Sequence, residues 1–371
     1  MKLLIAGDFC PRYRVAEAFA RGEYATVLSG VKDIIGKADY SIVNFECPVQ
    51  TGDVKPIEKQ GPNLKCSLNG VEALKYAGFK CVTLANNHFL DFGKDGVAET
   101  ISSLDSLGID HVGGGVNLQQ ASAILYKEIK GKCIAIINCC EHEFSIATET
   151  SAGSNPLNPV QQYYAIKEAR KNADKVLVIV HGGHEHWQLP SPRMVETYRF
   201  FIDAGADAVV NHHQHCYTGY EVYQGKPIFY GIGNFCFDLT TQHTGKWTEG
   251  YMVTIDFSAD SPSFTLQPYR QCADKAVVEL LPADAFSKSL ANMNDIISNP
   301  VTLKAYTDKY YSESTDQFRR IFEPTQNRFV LGAIHRGWIP SLINRQRLLS
   351  AYNYVFCESH RDKLMHWLQA K

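Results

Sequence analysis

Short apolar runs alternate with amphipathic stretches from Met1 to about Arg270. The apolar runs have the length of strands, and the stretches between them, such as Gly93–Leu107 and Arg193–Ala204, have the length and periodicity of helices. Glycines such as Gly78 follow these stretches, where a left-handed helix C-cap is expected. The pattern therefore predicts an α/β domain.

Five of the apolar runs end in a side chain that is able to bind a metal ion. A buried amide without a partner costs about 1–3 kcal/mol, so polar groups in such positions need a partner. Open α/β sheets bind ligands at the carboxyl ends of their strands, which predicts one shared site. The candidate ligands are Asp8, Glu46, Asn87, His181, His213 and His215.

Six of the thirteen histidines lie between His181 and His215. In a strand-like His-x-His segment alternate side chains share a face, so His213 and His215 are expected to point at the site and His212 away from it. Imidazoles together with carboxylate and amide oxygens suit Zn, Fe or Mn. The set is large enough for two ions, with Glu46 as a bridging carboxylate.

The pattern changes after Asp238, first to antiparallel strands and from Ala285 onward to helices. We predict one domain over residues 1–270 and a mostly helical region over residues 271–371. The last 71 residues carry 11 Lys and Arg against 6 Asp and Glu. Apolar side chains at helical spacing within Pro340–Ala370, among them Leu342, predict packing on the core or on a second subunit.

Composition narrows the class of protein. The net charge of −2 gives no field for nucleic acid. Eleven cysteines, an odd number, are typical of a reduced chain and not of a disulfide framework. The first strand begins directly after Lys2, which leaves no room for a signal peptide, and we expect no transmembrane segment because no apolar run reaches ~18 residues. The expected compartment is the cytoplasm.

Seven motifs in order resemble the signature of CapA-type capsule or poly-γ-glutamate synthesis proteins, which are relatives of the calcineurin-like metallophosphoesterases. They are Gly7-Asp8, Asn44-Phe45-Glu46, Ala85 through Gly93, His181 through Glu185, Asn211 through His215, Glu221 through Tyr223 and Gly231 through Asp238. The resemblance implies a four-layer α/β/β/α sandwich with a metal centre at one edge, followed here by a C-terminal helical appendage.

The resemblance also implies roles for individual residues. Asp8 and His215 would bind one divalent ion, Glu46 would bridge, and Asn87, His181 and His213 would bind the second. The resemblance thus implies two divalent metal ions, which would be Mn, Fe or Zn. His88 and Glu185 are the expected catalytic residues, with His88 as proton donor or oxyanion stabiliser. The residues expected in a second shell or at the substrate are Asn44, Asn86, Asn234 and Lys59.

The chain departs from the metallophosphoesterase pattern at three motifs, the last because Asn211 or His212 stands near the place of the glycine in Gly-His-x-His. The first motif is usually Asp-x-His, and here Cys10 stands in place of the histidine; the second keeps only Glu46. Cys10 is expected either as a soft ligand or as a small apolar strand-end residue. A weaker first metal site is therefore expected.

Two functions follow from these residues. The first is a phosphoesterase-like, metal-dependent hydrolase of the CapA type, which acts on an anionic small molecule or polymer in capsular, exopolysaccharide or poly-γ-glutamate biosynthesis. The second is a non-catalytic, metal-binding assembly factor for a polymer synthase or exporter. A ligase role lacks support, since the chain has no Gly-rich loop followed by Lys-Ser/Thr for ATP.

Overall fold

A computed structural model describes residues 1–241, 244–313, 323, 325, 327–341 and 343–369. The chain forms two compact units, Met1–Lys304 and Ala305–Lys371. The expected boundary at residue 270 thus falls inside the first unit. The reason is packing: Leu290 and Ile297, beyond that boundary, are buried in the same core as Tyr217.

The first sheet has eight strands, with β1 at its centre. Its members are β1 (Lys2–Cys10), β2 (Tyr40–Phe45), β3 (Cys81–Thr83), β4 (Asp110–Val112), β13 (Asn234–Phe237), β14 (Glu249–Asp256), β15 (Ser263–Gln271) and β16 (Val278–Leu280). The order is β16-β15-β14-β1-β2-β3-β4. β14 pairs antiparallel with the first half of β1, whereas β13 pairs parallel with its second half.

The second sheet has six strands. They are β6 (Leu125–Ile129), β7 (Lys132–Cys140), β9 (Lys175–His181), β10 (Ala208–His212), β11 (Tyr220–Tyr223) and β12 (Lys226–Phe229), in the order β11-β12-β10-β9-β7-β6. The inner four are parallel and the edge strands are antiparallel to them. Two short strands, β5 (Gly114–Gly115) and β8 (Gly153–Ser154), pair separately.

Helices cover the outer faces of both sheets. They are α1 (Tyr13–Ala20), α2 (Tyr24–Gly36), α3 (Leu68–Ala77), α4 (Gly93–Ser106), α5 (Leu118–Ala121), α6 (Pro159–Asn172), α7 (Pro192–Ala204) and α8 (Ser287–Ser298). A 3₁₀ turn spans Gly245–Thr248.

Alternate residues of β1 show how the layers stack. Leu4 is buried in one core with Val27 of α2, whereas Ile5 is buried in the other with Ile136 of the second sheet. On the far side, α6 contacts β7 and β9, and α7 contacts β10. The arrangement is a four-layer α/β/β/α sandwich, as the family resemblance implied.

The C-terminal region is helical, also as predicted. α9 (Pro300–Glu313) leads into it, and the later described helices are α10 (Arg328–His335), α11 (Arg345–Phe356) and α12 (Glu358–Gln369). Leu342 and Ala370 lie outside the described residues, and oligomerisation through these helices stays a prediction. Within the described part of the chain, no helix combines the length and the apolar character that crossing a membrane requires.

Candidate metal centre

The carboxyl ends of parallel strands from both sheets meet at one edge of the sandwich. Asp8 lies near the end of β1, Glu46 directly follows β2, and His181 ends β9. Gly7 allows β1 to approach the chain beside it, because a Cβ there would lie 1.8 Å from the carbonyl oxygen of Gly233. Asp8 is held beside the second sheet's strand ends by His213, whose backbone N–H donates to Asp8 Oδ2 at 3.3 Å.

The six candidate ligands come together at this edge. Glu46 Oε1 lies 3.6 Å from His181 Nε2 and 3.6 Å from His215 Nε2. His213 Nδ1 lies 3.1 Å from His181 Nε2. Asn87 Oδ1 lies 3.1 Å from the same His181 nitrogen, and Asp8 Oδ2 lies 3.6 Å from His215 Nδ1.

These side chains form two groups, and within each group the potential ligand atoms lie within 4.8 Å of one another. The groups are Glu46, His181 and His213, and Asp8, Glu46 and His215. Glu46 belongs to both. The arrangement fits two cations that share one carboxylate.

Glu46 is the strongest sign that a cation belongs here. Its side chain is 0% exposed, and neither carboxylate oxygen has a hydrogen-bond partner among the described residues. A buried carboxylate without partners is costly, because it loses hydration and gains nothing in return. Burial, together with the charge of Asp8, raises the pKa of Glu46 well above its ordinary value. Divalent cations would satisfy both oxygens, so the donor set fits the metals that the sequence implies.

Two histidines of the centre, His181 and His215, are favoured in their neutral, ligating form. Burial and the neighbouring histidines lower the pKa of His181 well below its ordinary value. Burial also lowers the pKa of His215 to about 4. For Asp8, burial alone would raise the pKa, but the His212 imidazole, whose Nδ1 lies 3.0 Å from Asp8 Oδ1, outweighs it and lowers the value. The centre thus combines neutral imidazoles with carboxylates, as transition-metal sites do.

Two asparagines orient the candidate ligands from behind. Asn44 Nδ2 donates to Asp8 Oδ1 at 2.8 Å and lies 3.2 Å from His181 Nδ1. Asn234 lies beside Asp8 in the sheet, and its Oδ1 is 2.9 Å from His215 Nδ1. Since its Nδ2 donates to the carbonyl oxygens of His215 and Trp247, Oδ1 is left to accept from Nδ1 of His215. The other ring nitrogen of His215 then keeps its lone pair for a metal.

The side chain of Asn86 forms hydrogen bonds to backbone groups and not to the candidate ligands. Its Nδ2 donates to the carbonyl oxygen of Phe45 at 2.9 Å, and its Oδ1 accepts from the backbone N–H of His88 at 3.1 Å. These bonds tie the loop after β3 to the end of β2, so Asn86 fixes the position from which Asn87 and His88 project.

His88 has two charged neighbours, Asp91 and Lys59, at its Nδ1. Its Nδ1 is 2.7 Å from Asp91 Oδ2 and 3.1 Å from Lys59 Nζ. Burial lowers the pKa of His88, against the opposing effect of Asp91. The Lys59 side chain is 1% exposed and paired with Asp91, so it supports His88 and is not open to an external substrate. Asp91 is a site residue that the sequence analysis did not single out, although it lies three positions after His88.

Glu185 lies on the loop after β9, at the rim of the centre and outside both ligand groups. Its side chain is 48% exposed, and its Oε2 is 3.9 Å from His186 Nε2. Partial burial raises the pKa of Glu185, but the charges of His215 and His213 outweigh this and lower it. The carboxylate is therefore half-exposed and lies near His186.

The expectation for His212 was wrong. β10 ends at His212, and the next histidines are not extended, because His213 has φ 88° and His215 has φ 54°. Strand alternation therefore does not govern where these rings point. His212 Nδ1 lies 3.0 Å from Asp8 Oδ1, so His212 borders the centre instead of pointing away from it.

Cys10 belongs to neither ligand group. It is buried in the core between the first sheet and its helices, where its thiol contacts that of Cys47. This is the position of a small apolar strand-end residue. The group that includes Asp8 therefore contains only Asp8, Glu46 and His215 among the described histidines, cysteines and carboxylates.

The four-layer sandwich carries histidines and carboxylates at one sheet edge, as the sequence resemblance implies. Residues 2–239 match the family model of the bacterial capsule synthesis protein PGA_cap. The match covers well over half of the chain, and the protein belongs to this family.

Two similar relatives are named for capsule or polymer synthesis. The capsule biosynthesis protein CapA of Bacillus anthracis is 35% identical over 246 residues, which are 64% of this chain and 60% of that protein. The PGA biosynthesis protein CapA of Bacillus subtilis is 34% identical over 217 residues, 57% of each chain. The chain thus spans about three fifths of the length of the curated relatives it matches.

Among solved structures, a novel phosphatase from Mycoplasma pneumoniae is 18% identical, with a TM-score of 0.46, over 74% of this chain and 95% of that one. A TM-score of this size does not establish a common fold. The sheet order and the layers described above define the fold.

Proposed function

We propose that this protein is a metal-dependent hydrolase that cleaves a phosphoester, or a related ester, of an anionic intermediate in capsular, exopolysaccharide or poly-γ-glutamate biosynthesis. The observation that carries the proposal is Glu46: a fully buried carboxylate without hydrogen-bond partners among the described residues, shared by two ligand groups. Family membership supports the biosynthetic context.

Asp8, Glu46 and His215 would hold one divalent ion, and Glu46, His181, His213 and Asn87 would hold the other. Such ions supply Lewis acidity toward a phosphoryl oxygen. Asn44 and Asn234 keep the ligands of the centre in place through the hydrogen bonds described above. The sandwich edge therefore needs no protein nucleophile.

His88 would handle the proton of the leaving group. Asp91 and Lys59 hold its Nδ1 side, which leaves Nε2 as the nitrogen for substrate. Without substrate, burial favours the neutral ring. An anionic substrate beside the ring would raise the pKa of His88 again, since a nearby opposite charge favours the protonated form. The imidazole is then suited to proton transfer or to stabilising developing charge.

The alternative is an assembly factor that binds metal without turnover. Cys10 favours the assembly factor. Its thiol is buried in the core, whereas the metallophosphoesterase pattern has a metal-binding histidine at this position. The first ion then has fewer protein ligands than the family pattern provides. On this reading the partner is a polymer synthase or exporter, and the metal stabilises the fold.

The test is turnover by metal-loaded protein. Purified protein is analysed for bound Mn, Fe and Zn, and is then assayed with p-nitrophenyl phosphate and bis-p-nitrophenyl phosphate with each ion added. The hydrolase proposal expects turnover that Asp8→Asn abolishes. Protein with both sites occupied that turns over neither a phosphomonoester nor a phosphodiester would support the assembly factor instead.

A further inference from the structure

Asn87 has two different neighbours at the two ends of its amide. Its Nδ2 donates to Glu143 Oε2 at 2.7 Å, and its Oδ1 lies 3.1 Å from His181 Nε2 at the candidate metal centre. A carboxylate only accepts hydrogen bonds, whereas an amide has one donating and one accepting end. Glu143 therefore determines which end of Asn87 faces the centre.

We propose that Glu143 is a positioning residue that holds the amide of Asn87 with its oxygen toward the metal centre. The inference rests on the proposed metal site and adds to it a residue that belongs to neither ligand group. Asn87 is buried, at 6% exposure, while Glu143 is exposed on the loop that follows β7. Glu143 is thus an outer support for an inner ligand.

The loop that carries Glu143 is fastened to the segment that carries Asn87. Ser145 Oγ accepts from the backbone N–H of Leu90 at 3.1 Å. Ser154 Oγ, further along the same connection, accepts from the N–H of Asn86 at 3.3 Å and donates to the carbonyl oxygen of Asn86 at 3.0 Å. The second sheet's loop therefore approaches the strand-end loop of the first sheet in a fixed register, and Glu143 meets Asn87 on a supported backbone.

The orientation of this amide matters for chemistry. An amide oxygen is a neutral ligand that divalent ions accept, whereas an amide NH₂ group offers them no lone pair. If the amide turned over, the centre would lose one ligand and gain a donor group that faces the cations. Groups that orient a metal ligand from behind typically change metal affinity by about 10–100-fold when removed.

Three substitutions separate this role from a general effect of charge. Glu143→Gln keeps an acceptor oxygen and removes the charge. Glu143→Lys presents only donors, which favours the inverted amide of Asn87. Glu149→Lys is the matched control, since Glu149 is an exposed glutamate of the same connection and the change in charge is identical. Glu143 is exposed, so these variants should fold, and circular dichroism in chelator checks that they do.

The experiment is a competition titration of metal-free protein with Mn²⁺ or Zn²⁺ against a coloured chelator, with bound metal counted by elemental analysis. We expect Glu143→Lys to weaken one of the two ions by about 10-fold or more. The metal affinity of Glu143→Gln should stay within about 3-fold of the wild-type affinity. That of Glu149→Lys should equal the wild-type affinity.

Two results would overturn the inference while the metal site stands: Glu143→Lys with the wild-type affinity, or Glu143→Gln with a loss as large as that of Glu143→Lys. Wild-type protein that binds neither ion would overturn the inference together with the proposed function. Because wild type is titrated in the same series, the two failures are distinguishable.

Discussion

Lys59 and Asp91 form an ion pair in which both side chains are buried, with 1% and 0% of their surface exposed. Asp91 Oδ2 also accepts from the backbone N–H of Leu64 at 2.6 Å. Through these contacts the carboxylate fastens the loop that carries Lys59 and Leu64 onto the segment that begins at His88.

Lys59→Met should destabilise the protein strongly. The substitution leaves the Asp91 carboxylate buried without its cation, and removing one partner of such a pair typically costs about 3–5 kcal/mol. Urea unfolding of metal-free protein measures the change in the free energy of unfolding. Lys65→Met, at an exposed lysine of the same loop, is the control and should change that free energy by less than about 0.5 kcal/mol. A loss below about 1 kcal/mol for Lys59→Met would show that the pair contributes little.

Glu46→Gln should remove metal binding without weakening the metal-free fold. The amide has the shape of the carboxylate but no charge to bury, so we expect equal or higher stability in chelator. With metal at 100 times its dissociation constant, wild type should gain about 2.7 kcal/mol and the variant much less. Thermal melting with and without chelator, together with elemental analysis, checks both statements. Equal bound metal in the two proteins would contradict the bridging role of Glu46.

His88→Gln should keep the metals and the fold but lose catalysis. Proton transfer by a placed imidazole is worth about 10²–10⁴-fold in rate, so we expect at least ~10²-fold lower kcat on any substrate that wild type turns over. Steady-state kinetics of the metal-loaded variant measures this. Unchanged kcat with full metal content would remove His88 from the mechanism.

The metal-free protein should lose stability as the pH falls from about 6.5 toward 4. Burial lowers the pKa of His215 to about 4 from 6.5. Between these values the unfolded chain binds more protons than the folded one, so the free energy of unfolding rises with pH. His181 acts in the same direction, since its pKa is also lowered. The shift for His215 corresponds to about 3 kcal/mol.

Glu46 opposes this trend in wild type. Its pKa is raised above the ordinary 4.5, so the folded state keeps a proton that the unfolded chain releases, and this contribution to stability falls as the pH rises. Metal-free Glu46→Gln lacks this opposing contribution. Its free energy of unfolding should therefore rise more steeply than that of wild type between pH 4.5 and 6.5. Urea unfolding at several pH values compares the slopes, and parallel curves would refute the opposing role.

Local pattern was enough to predict an α/β domain and most of the centre, whereas the four layers were implied by the family resemblance. Apolar runs that end in Asp8, Glu46 and His181 read as strands with polar carboxyl ends, and parallel strands bring such ends to one edge. Whether strands are parallel follows from the alternation of strands and helices, which is visible in the sequence. The same local information predicted a helical C-terminal region.

Contacts between distant segments could not be predicted in this way. Strand alternation failed at His212, because His213 and His215 leave the strand with positive φ. The pairing of Asn87 with Glu143, 56 positions apart, and the burial of Lys59 against Asp91 arise only when loops of separate elements meet. The sequence by itself determined which residues end strands, since periodicity and polarity are local properties. Only the tertiary structure decided which side chains face each other, because that depends on how the two sheets pack and how their loops close over the common edge.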